Sequence, residues 1–336
     1  MAKMKAARVY QAGAPFELVE LDVPEPDAGQ VRVRVEACGV CHSDAFVKSG
    51  GFPGLQLPRI PGHEIAGRVD AVGALVTAWK KGDRVGVGWH GGHCSQCEAC
   101  RRGLFINCEK AQVTGISFDG GFAEYAVVPQ AAVARIPEKL DARDAGPLLC
   151  AGVTTYNALR NSGARPGDTV AVQGIGGLGH LAIQYAVRMG FRTVAISRGA
   201  DKEDLARKLG AHEYVDTQNV GAAEGLKKLG GAHLVLATAP NSEAIASTLD
   251  GLKVRGKLLI VAAPFEPLQV SAFALLTGKS IAGWPSGSAI DSEDAMNFSA
   301  LTNVRPLVEA FPLEQAEQAF SKMIENRVRF RAVLTP

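Results

Sequence analysis

The sequence predicts an α/β protein, in which a doubly wound parallel sheet is joined to a second, mostly-β unit, and three observations support this. From Cys150 onward, short apolar runs alternate with helix-patterned segments. Upstream of Cys150 the chain reads as short strands and loops, with no long amphipathic helix. In the downstream part, a glycine triplet stands directly after a strand-like run and opens a helix-like one. A chain of 336 residues is also longer than one hydrophobic core usually serves, so two units are expected.

The first unit is read as residues 1–149. Its runs VRVRVEA (from Val31), GRVDAVG (from Gly67) and DRVGVG (from Asp83) alternate in hydrophobicity and are bounded by Gly, Pro or Asp, as short strands are. The second unit, 150–285, opens on a helix pattern, LLCAGVTTYNALRNSG, closed by glycine. TVAVQG follows as a buried strand and LGHLAIQYAVRMG as a helix ending on Gly190. RTVAIS, HLVLATA and GKLLIVAA are further apolar strands, separated by helix patterns such as DKEDLARKLGA, and SIAGWP is a last strand. Such runs belong to a parallel sheet covered on both faces. The segment 286–336, with helix patterns in EDAMNFSA and LEQAEQAFSKMIENR and a closing strand FRAVLTP, is expected to return to the first unit.

The bulk chemistry narrows the function. With 21% charged residues and a formal net charge of +2, nothing draws the chain to nucleic acid or to a membrane surface. The N-terminal MAKMKAARVY lacks the apolar run of a secretory signal, and no stretch approaches the ~18 apolar residues of a membrane span. A cytoplasmic location is expected. In such a chain, seven cysteines favour metal binding or catalysis over disulfides.

The glycine triplet is Gly174, Gly176 and Gly179, with Gly177 between, and its strand-to-helix context suits a dinucleotide pyrophosphate: a tight turn, close backbone approach and helix N-terminal amides. At the end of the next strand, where a carboxylate would bind the ribose of NAD, the chain has Ser197, Arg198 and Gly199. Arg198 and Lys202 suit a 2′-phosphate, which favours NADP, with NAD as the alternative. Cys94, Cys97, Cys100 and Cys108 offer four thiolates on one loop, as a structural zinc requires; an iron–sulfur cluster or paired disulfides are the alternatives. Cys41, His63 and Cys150 supply three mixed ligands for a zinc with one open position. Ser43, Asp44 and Glu64 stand beside them, and that company lifts three otherwise ordinary residues into a candidate site.

Taken in order, the motifs CGVCHSD, GHE, CSQCEACRRGLFINC, LLCAGVTTY and GIGGLGH resemble the zinc-dependent alcohol dehydrogenases of the medium-chain dehydrogenase/reductase superfamily, over essentially the whole chain. The resemblance implies a GroES-like catalytic domain, a Rossmann coenzyme domain and an active site in the cleft between them. It implies two zinc ions per subunit, one catalytic on Cys41, His63 and Cys150 and one structural on the 94–108 loop, and it leaves Cys38 a non-ligand. Ser43 matches the hydroxyl that bonds the alcohol oxygen and passes its proton outward; Asp44 and Glu64 match supporting carboxylates, one of which would orient His63. His42 and Arg331 match positions on the coenzyme pyrophosphate, and Thr154 one against the nicotinamide. Phe52 and Trp89 match aromatic walls of the substrate pocket, where core packing is the plainer role.

Phe46 departs from the family, many of whose members carry there a histidine that ends a proton relay. Phenylalanine transfers no proton, so the proton is expected to leave by water or another base, with Phe46 lining the pocket. The implied reaction interconverts a small-molecule alcohol with its aldehyde or ketone. Related readings are a polyol dehydrogenase, disfavoured because Cys150 stands where those enzymes place glutamate, and a coenzyme-binding sensor without turnover. A nucleic-acid-binding zinc ribbon lacks the basic, aromatic-interleaved surface it would need. A homodimer or homotetramer is expected, with GKSIAGWPS as an interface strand.

Overall fold

A computed structural model describes residues 2–262, 264 and 266–336. Its contacts divide the chain into two compact units, Met1–Val153 with Gly287–Pro336, and Thr154–Ser286. No helix among the described residues is long and apolar enough to cross a membrane.

The first unit is built on a mixed sheet with the strand order Val308–Pro312, Arg331–Thr335, Gln30–Val40, Ile65–Val72, Arg84–Val87 and Val133–Arg135; Tyr125–Pro129 also pairs with Gln30–Val40. All these pairings are antiparallel except the first, so two strands of the C-terminal segment complete a sheet begun near the N-terminus. The alternation seen in VRVRV is explained by burial: Val31, Val33 and Val35 enter the core, while on the other face Arg32 is largely covered and paired with Glu25 and Asp70, and Arg34 is exposed. Phe122, Phe16 and Phe320 pack edge to face within this core. The helix around EDAMNFSA begins at Ala289, earlier than those residues suggest, because Ser288 and Asp291 form a capping box, and it runs to Thr302.

The second unit holds six parallel strands in the order Glu213–Asp216, Arg192–Ser197, Thr169–Gln173, Ala232–Ala237, Leu252–Ile260 and Ser280–Gly283. This is the doubly wound order, with the first strand at the centre, where the strand order reverses. Every residue of Thr169–Gln173 is buried, as both-face coverage demands. Of the strand read through Ala263, that last residue lies outside the described residues.

The segment LLCAGVTTYNALRNSG is not one α-helix. A helix Ala142–Pro147 precedes it, a π-helical turn spans Leu148–Gly152, and a helix Val153–Arg160 follows. The close fit at Gly88 belongs to this turn: a Cβ there would stand 2.5 Å from the carbonyl oxygen of Leu149. The π turn carries Cys150, and such widened turns are frequent at functional sites.

Candidate active site and metal centres

Cys41 directly follows the strand Gln30–Val40 at the start of a tight turn into the short helix Asp44–Ser49, and Asp44 closes that turn from both sides. One carboxylate oxygen of Asp44 accepts the backbone N–H of Cys41 at 2.8 Å; the other lies 3.2 Å from His63 Nδ1. With Asp44 buried, the pair sets the His63 tautomer and leaves Nε2, buried and without a hydrogen-bond partner, available to a metal. Cys41, His63, Glu64 and Cys150 offer ligand atoms all within 4.8 Å of one another. The Cys41 and Cys150 sulfurs are 3.8 Å apart, which matches the edge of about 3.8 Å expected for a zinc tetrahedron with ~2.3 Å Zn–S bonds.

The electrostatics of the cluster suit a cation. The hydrogen bond with Cys150 holds the Cys41 thiol well below its usual range against burial, with His63 and Arg331 assisting, and the same bond together with burial pushes Cys150 up. Burial pulls His63 down, but Asp44 and Cys41 beside it outweigh this and hold it well above its ordinary value. A divalent ion would displace the His63 proton, because ligands bind deprotonated, while Asp44 holds Nδ1–H in either state. The donor set fits zinc.

Both carboxylates were expected as supports, and they divide the work. Asp44 takes His63, whereas Glu64 pairs through Oε1 with the guanidinium of Arg331, both side chains being buried. Glu64 Oε2 has no hydrogen-bond partner and belongs to the cluster above. Burial raises Glu64 to about 7 against the opposing pull of Arg331. Room for Glu64 comes from Gly39 of CGVC, where a Cβ would sit 1.8 Å from Glu64 Oε2. Cys38 stands apart from the cluster, buried, its thiol pushed well up by that burial.

Ser43 precedes the helix Asp44–Ser49 and makes no capping hydrogen bond, so its hydroxyl is not committed to the backbone. Phe46, Phe52, Trp89 and His63 form a chain of edge-on rings, with centroids 6.0, 6.1 and 5.0 Å apart. This brings all three sequence-selected aromatics into one row ending on His63. Thr154 is buried one turn beyond Cys150, and His42 is exposed.

The second cluster gathers Cys94, Cys97, Cys100 and Cys108, again within 4.8 Å, with no disulfide between them. Backbone N–H groups point at the sulfurs: Gln96 and Cys97 to Cys94 at 3.5 and 3.4 Å, and Cys94 and Lys110 to Cys108 at 3.3 Å each. The first two of these bring Cys94 down to about 6, whereas burial pushes Cys100 up to about 12. Four sulfurs this close fit one tetrahedral ion and leave no open position.

The short strand His90–Gly92 follows Trp89 and leads to this loop. His90 is buried, 3.1 Å from His93, and burial, reinforced by His93 and opposed by Asp291, lowers it to about 4. The unfolded chain takes up this proton near ~6.5 and the folded one only near 4, so stability is fully present above the first value and declines as pH falls toward the second. In the wild type, the unfolding free energy should therefore fall by about 2 kcal/mol from this residue between pH 6.5 and 5, at ~1.4 kcal/mol per unit. His90→Gln should remove that component in denaturant titrations at the two pH values; an unchanged difference would count against it.

In the second unit, Gly174 turns the chain at φ +93° straight after its strand, and a Cβ on Gly179 would lie 2.0 Å from the Gly174 carbonyl oxygen. A Cβ on Gly176 would meet nothing within 4 Å. The first and third glycines thus serve the fold, and the second faces open space just before the helix Gly179–Arg188, whose N-terminal backbone donors suit a pyrophosphate. Ser197 ends its strand as expected, and Arg198 and Lys202 have no ion-pair partner among the described residues. Sequence reasoning passed over Tyr214 and Asp216, whose side chains bond the backbone of Gly199; their signal is a polar strand, EYVD, paired in register with Ser197.

The family model described as an alcohol dehydrogenase GroES-like domain matches residues 27–138, and that of a zinc-binding dehydrogenase matches residues 177–301. The alcohol dehydrogenase patD of Penicillium expansum is 49% identical over 98% of this chain and 97% of its own length. Among solved structures, the cinnamyl alcohol dehydrogenase SbCAD4 of Sorghum bicolor superposes with a TM-score of 0.91 at 31% identity, covering 99% of this chain and 98% of that one. A CAD from Helicobacter pylori, solved with NADP(H), gives 0.88 at 26% identity, with coverage of 99% and 98%.

Proposed function

Because the chain belongs to the zinc-dependent alcohol dehydrogenases of the medium-chain dehydrogenase/reductase superfamily, we propose that it carries two zinc ions, uses NADP(H), and works chiefly as an aldehyde reductase. It is an oxidoreductase acting on small-molecule alcohols and carbonyl compounds. The observation that carries the catalytic-zinc assignment is the convergence of Cys41, His63 and Cys150 around a histidine whose tautomer Asp44 sets. Support for NADP comes from Arg198 and Lys202, after the strand Arg192–Ser197, which have no ion-pair partner among the described residues, and from the NADP(H) complex of the similar Helicobacter pylori protein.

When bound, the zinc polarises the alcohol or carbonyl oxygen and the nicotinamide carries the hydride. The remaining work falls to this chain's residues. Asp44 holds His63 in one orientation and, through the Cys41 N–H, also holds the turn that carries Ser43. Ser43 would accept the hydroxyl proton of the alcohol while giving up its own during oxidation, and donate its proton to the carbonyl oxygen while taking one back during reduction. Phe46 cannot continue that relay, so a proton given up by Ser43 would leave to water or to another base, not through the side chain at position 46. Phe46, Phe52 and Trp89 line an apolar approach and keep bulk water off the reacting carbon. His42 and Arg331 are assigned to the pyrophosphate, and Thr154 to the face of the nicotinamide.

The test is initial rates for one primary alcohol and its aldehyde, with both coenzymes, on protein assayed for metal. Two zinc ions per chain, loss of activity to a chelator and faster aldehyde reduction with NADPH are expected. A preference for NADH would discard the coenzyme assignment, and zinc-independent turnover the metal assignment. The glycine loop gives a separate check. Gly176→Ala should fold normally yet bind NADPH ~10-fold or more weakly, whereas Gly179→Ala should lose thermal stability as well, since its Cβ has no room. Coenzyme binding by Gly176→Ala equal to the wild type would contradict this.

The strand Ser280–Gly283 ends its sheet and is largely exposed, and we assign it to the interface of a homodimer or homotetramer, with light scattering as the check. A monomer would refute that.

A further inference from the structure

The turn Ser197–Lys202 is held from the neighbouring strand, Glu213–Asp216, which pairs with Arg192–Ser197 in the register Ser197 to Asp216. Asp216 Oδ1 accepts the Gly199 N–H at 2.7 Å and the Gln218 N–H at 2.9 Å, and Asn219 donates to Oδ2 at 2.8 Å. The Tyr214 hydroxyl donates to the Gly199 carbonyl oxygen at 2.6 Å. Thr217 donates its backbone N–H to Ser197 O at 2.9 Å. Side chains therefore claim both polar groups of Gly199, a residue at φ +81° that a substituted residue would resist adopting. Burial pushes the Tyr214 phenol up, a hydrogen bond with Ser197 draws it back, and Asp201, Asp216 and Glu203 add to the rise, so the phenol stays a donor.

Arg198 departs from this stem exposed and without a partner among the described residues. An arginine on a loose turn must be ordered when it binds an anion, whereas one on a clamped turn has that cost already met. We propose that Tyr214 is a positioning residue for the coenzyme's 2′-phosphate: by holding the Gly199 carbonyl it fixes the stem from which Arg198 reaches that group. The inference rests on the NADP reading above. NADH lacks the phosphate and does not draw on the clamp.

The test measures dissociation constants for NADPH and NADH by nicotinamide fluorescence in the wild type, Tyr214→Phe, Arg198→Ala and the double variant. Phenylalanine keeps the ring, so the fold is retained, with thermal unfolding as the check. Tyr214→Phe should weaken NADPH ~5-fold, as expected for one lost hydrogen bond, and leave NADH within about twofold. In the Arg198→Ala background the same change should do nothing further, because its effect runs through Arg198. A wild type that binds NADH more tightly would overturn the coenzyme reading and this inference with it. If the wild type favours NADPH but Tyr214→Phe moves both coenzymes equally, or neither, the reading stands and the role of Tyr214 falls. A loss of NADPH affinity as large without Arg198 as with it also overturns that role.

Discussion

Replacing Cys150 with serine should lower alcohol oxidation and aldehyde reduction by ~10³-fold or more, the several kcal/mol that a Lewis-acid metal supplies, while zinc content falls from two ions per chain to one. The geometry explains the severity. Cys150 contributes one of two sulfurs held 3.8 Å apart, and a serine hydroxyl does not ionise near neutral pH to replace a thiolate. His63 and Cys41 would then be left to hold a cation with Glu64 as the nearest remaining donor. The 94–108 loop shares no ligand with this cluster, so its zinc should remain, as should NADPH binding by the glycine loop. Metal analysis, coenzyme fluorescence and steady-state rates on one preparation separate these effects. Activity within tenfold of the wild type, or retention of both zinc ions, would remove Cys150 from the ligand set.

What the sequence made legible, and what it hid, divides along physical lines. Apolar runs such as TVAVQ and RTVAIS announce buried parallel strands because both faces must be covered; EYVD, at the sheet edge and half polar, carries no such mark although it clamps the turn beside Ser197. Thiols at fixed spacing are legible because few other uses place four on one short loop. Asp44 was visible as a candidate, but its double grip on Cys41 and His63 depends on a turn geometry that spacing alone does not specify. The π turn under Cys150 was hidden because a widened turn and an α-helix share one hydrophobic pattern. The pairing of Glu64 with Arg331 was hidden for another reason. It depends on the closing strand joining Gln30–Val40 in one particular antiparallel register, a long-range fact that no local pattern records.

That pairing yields the largest stability effect expected here. Arg331→Met should destabilise the protein by ~3–5 kcal/mol in denaturant titrations at pH 8, because Glu64, buried at 0% exposure, must then either carry an uncompensated charge or take up a proton that the unfolded chain has released. The cost should depend on pH in a defined direction. Burial raises Glu64 to about 7 even with Arg331 pulling it down, so removing the arginine raises it further. The folded state then holds its proton where the unfolded state, near ~4.3, has lost it; stability is full below the unfolded value and declines as pH rises toward the folded one. Arg331→Met should accordingly stand closer to the wild type at pH 5 than at pH 8. Adding Glu64→Gln should restore much of the loss at pH 8, since a neutral amide removes the buried charge that made the single change costly. A single variant equally destabilised at both pH values, or a double variant no better than the single, would show that Arg331 acts through packing and not by neutralising Glu64.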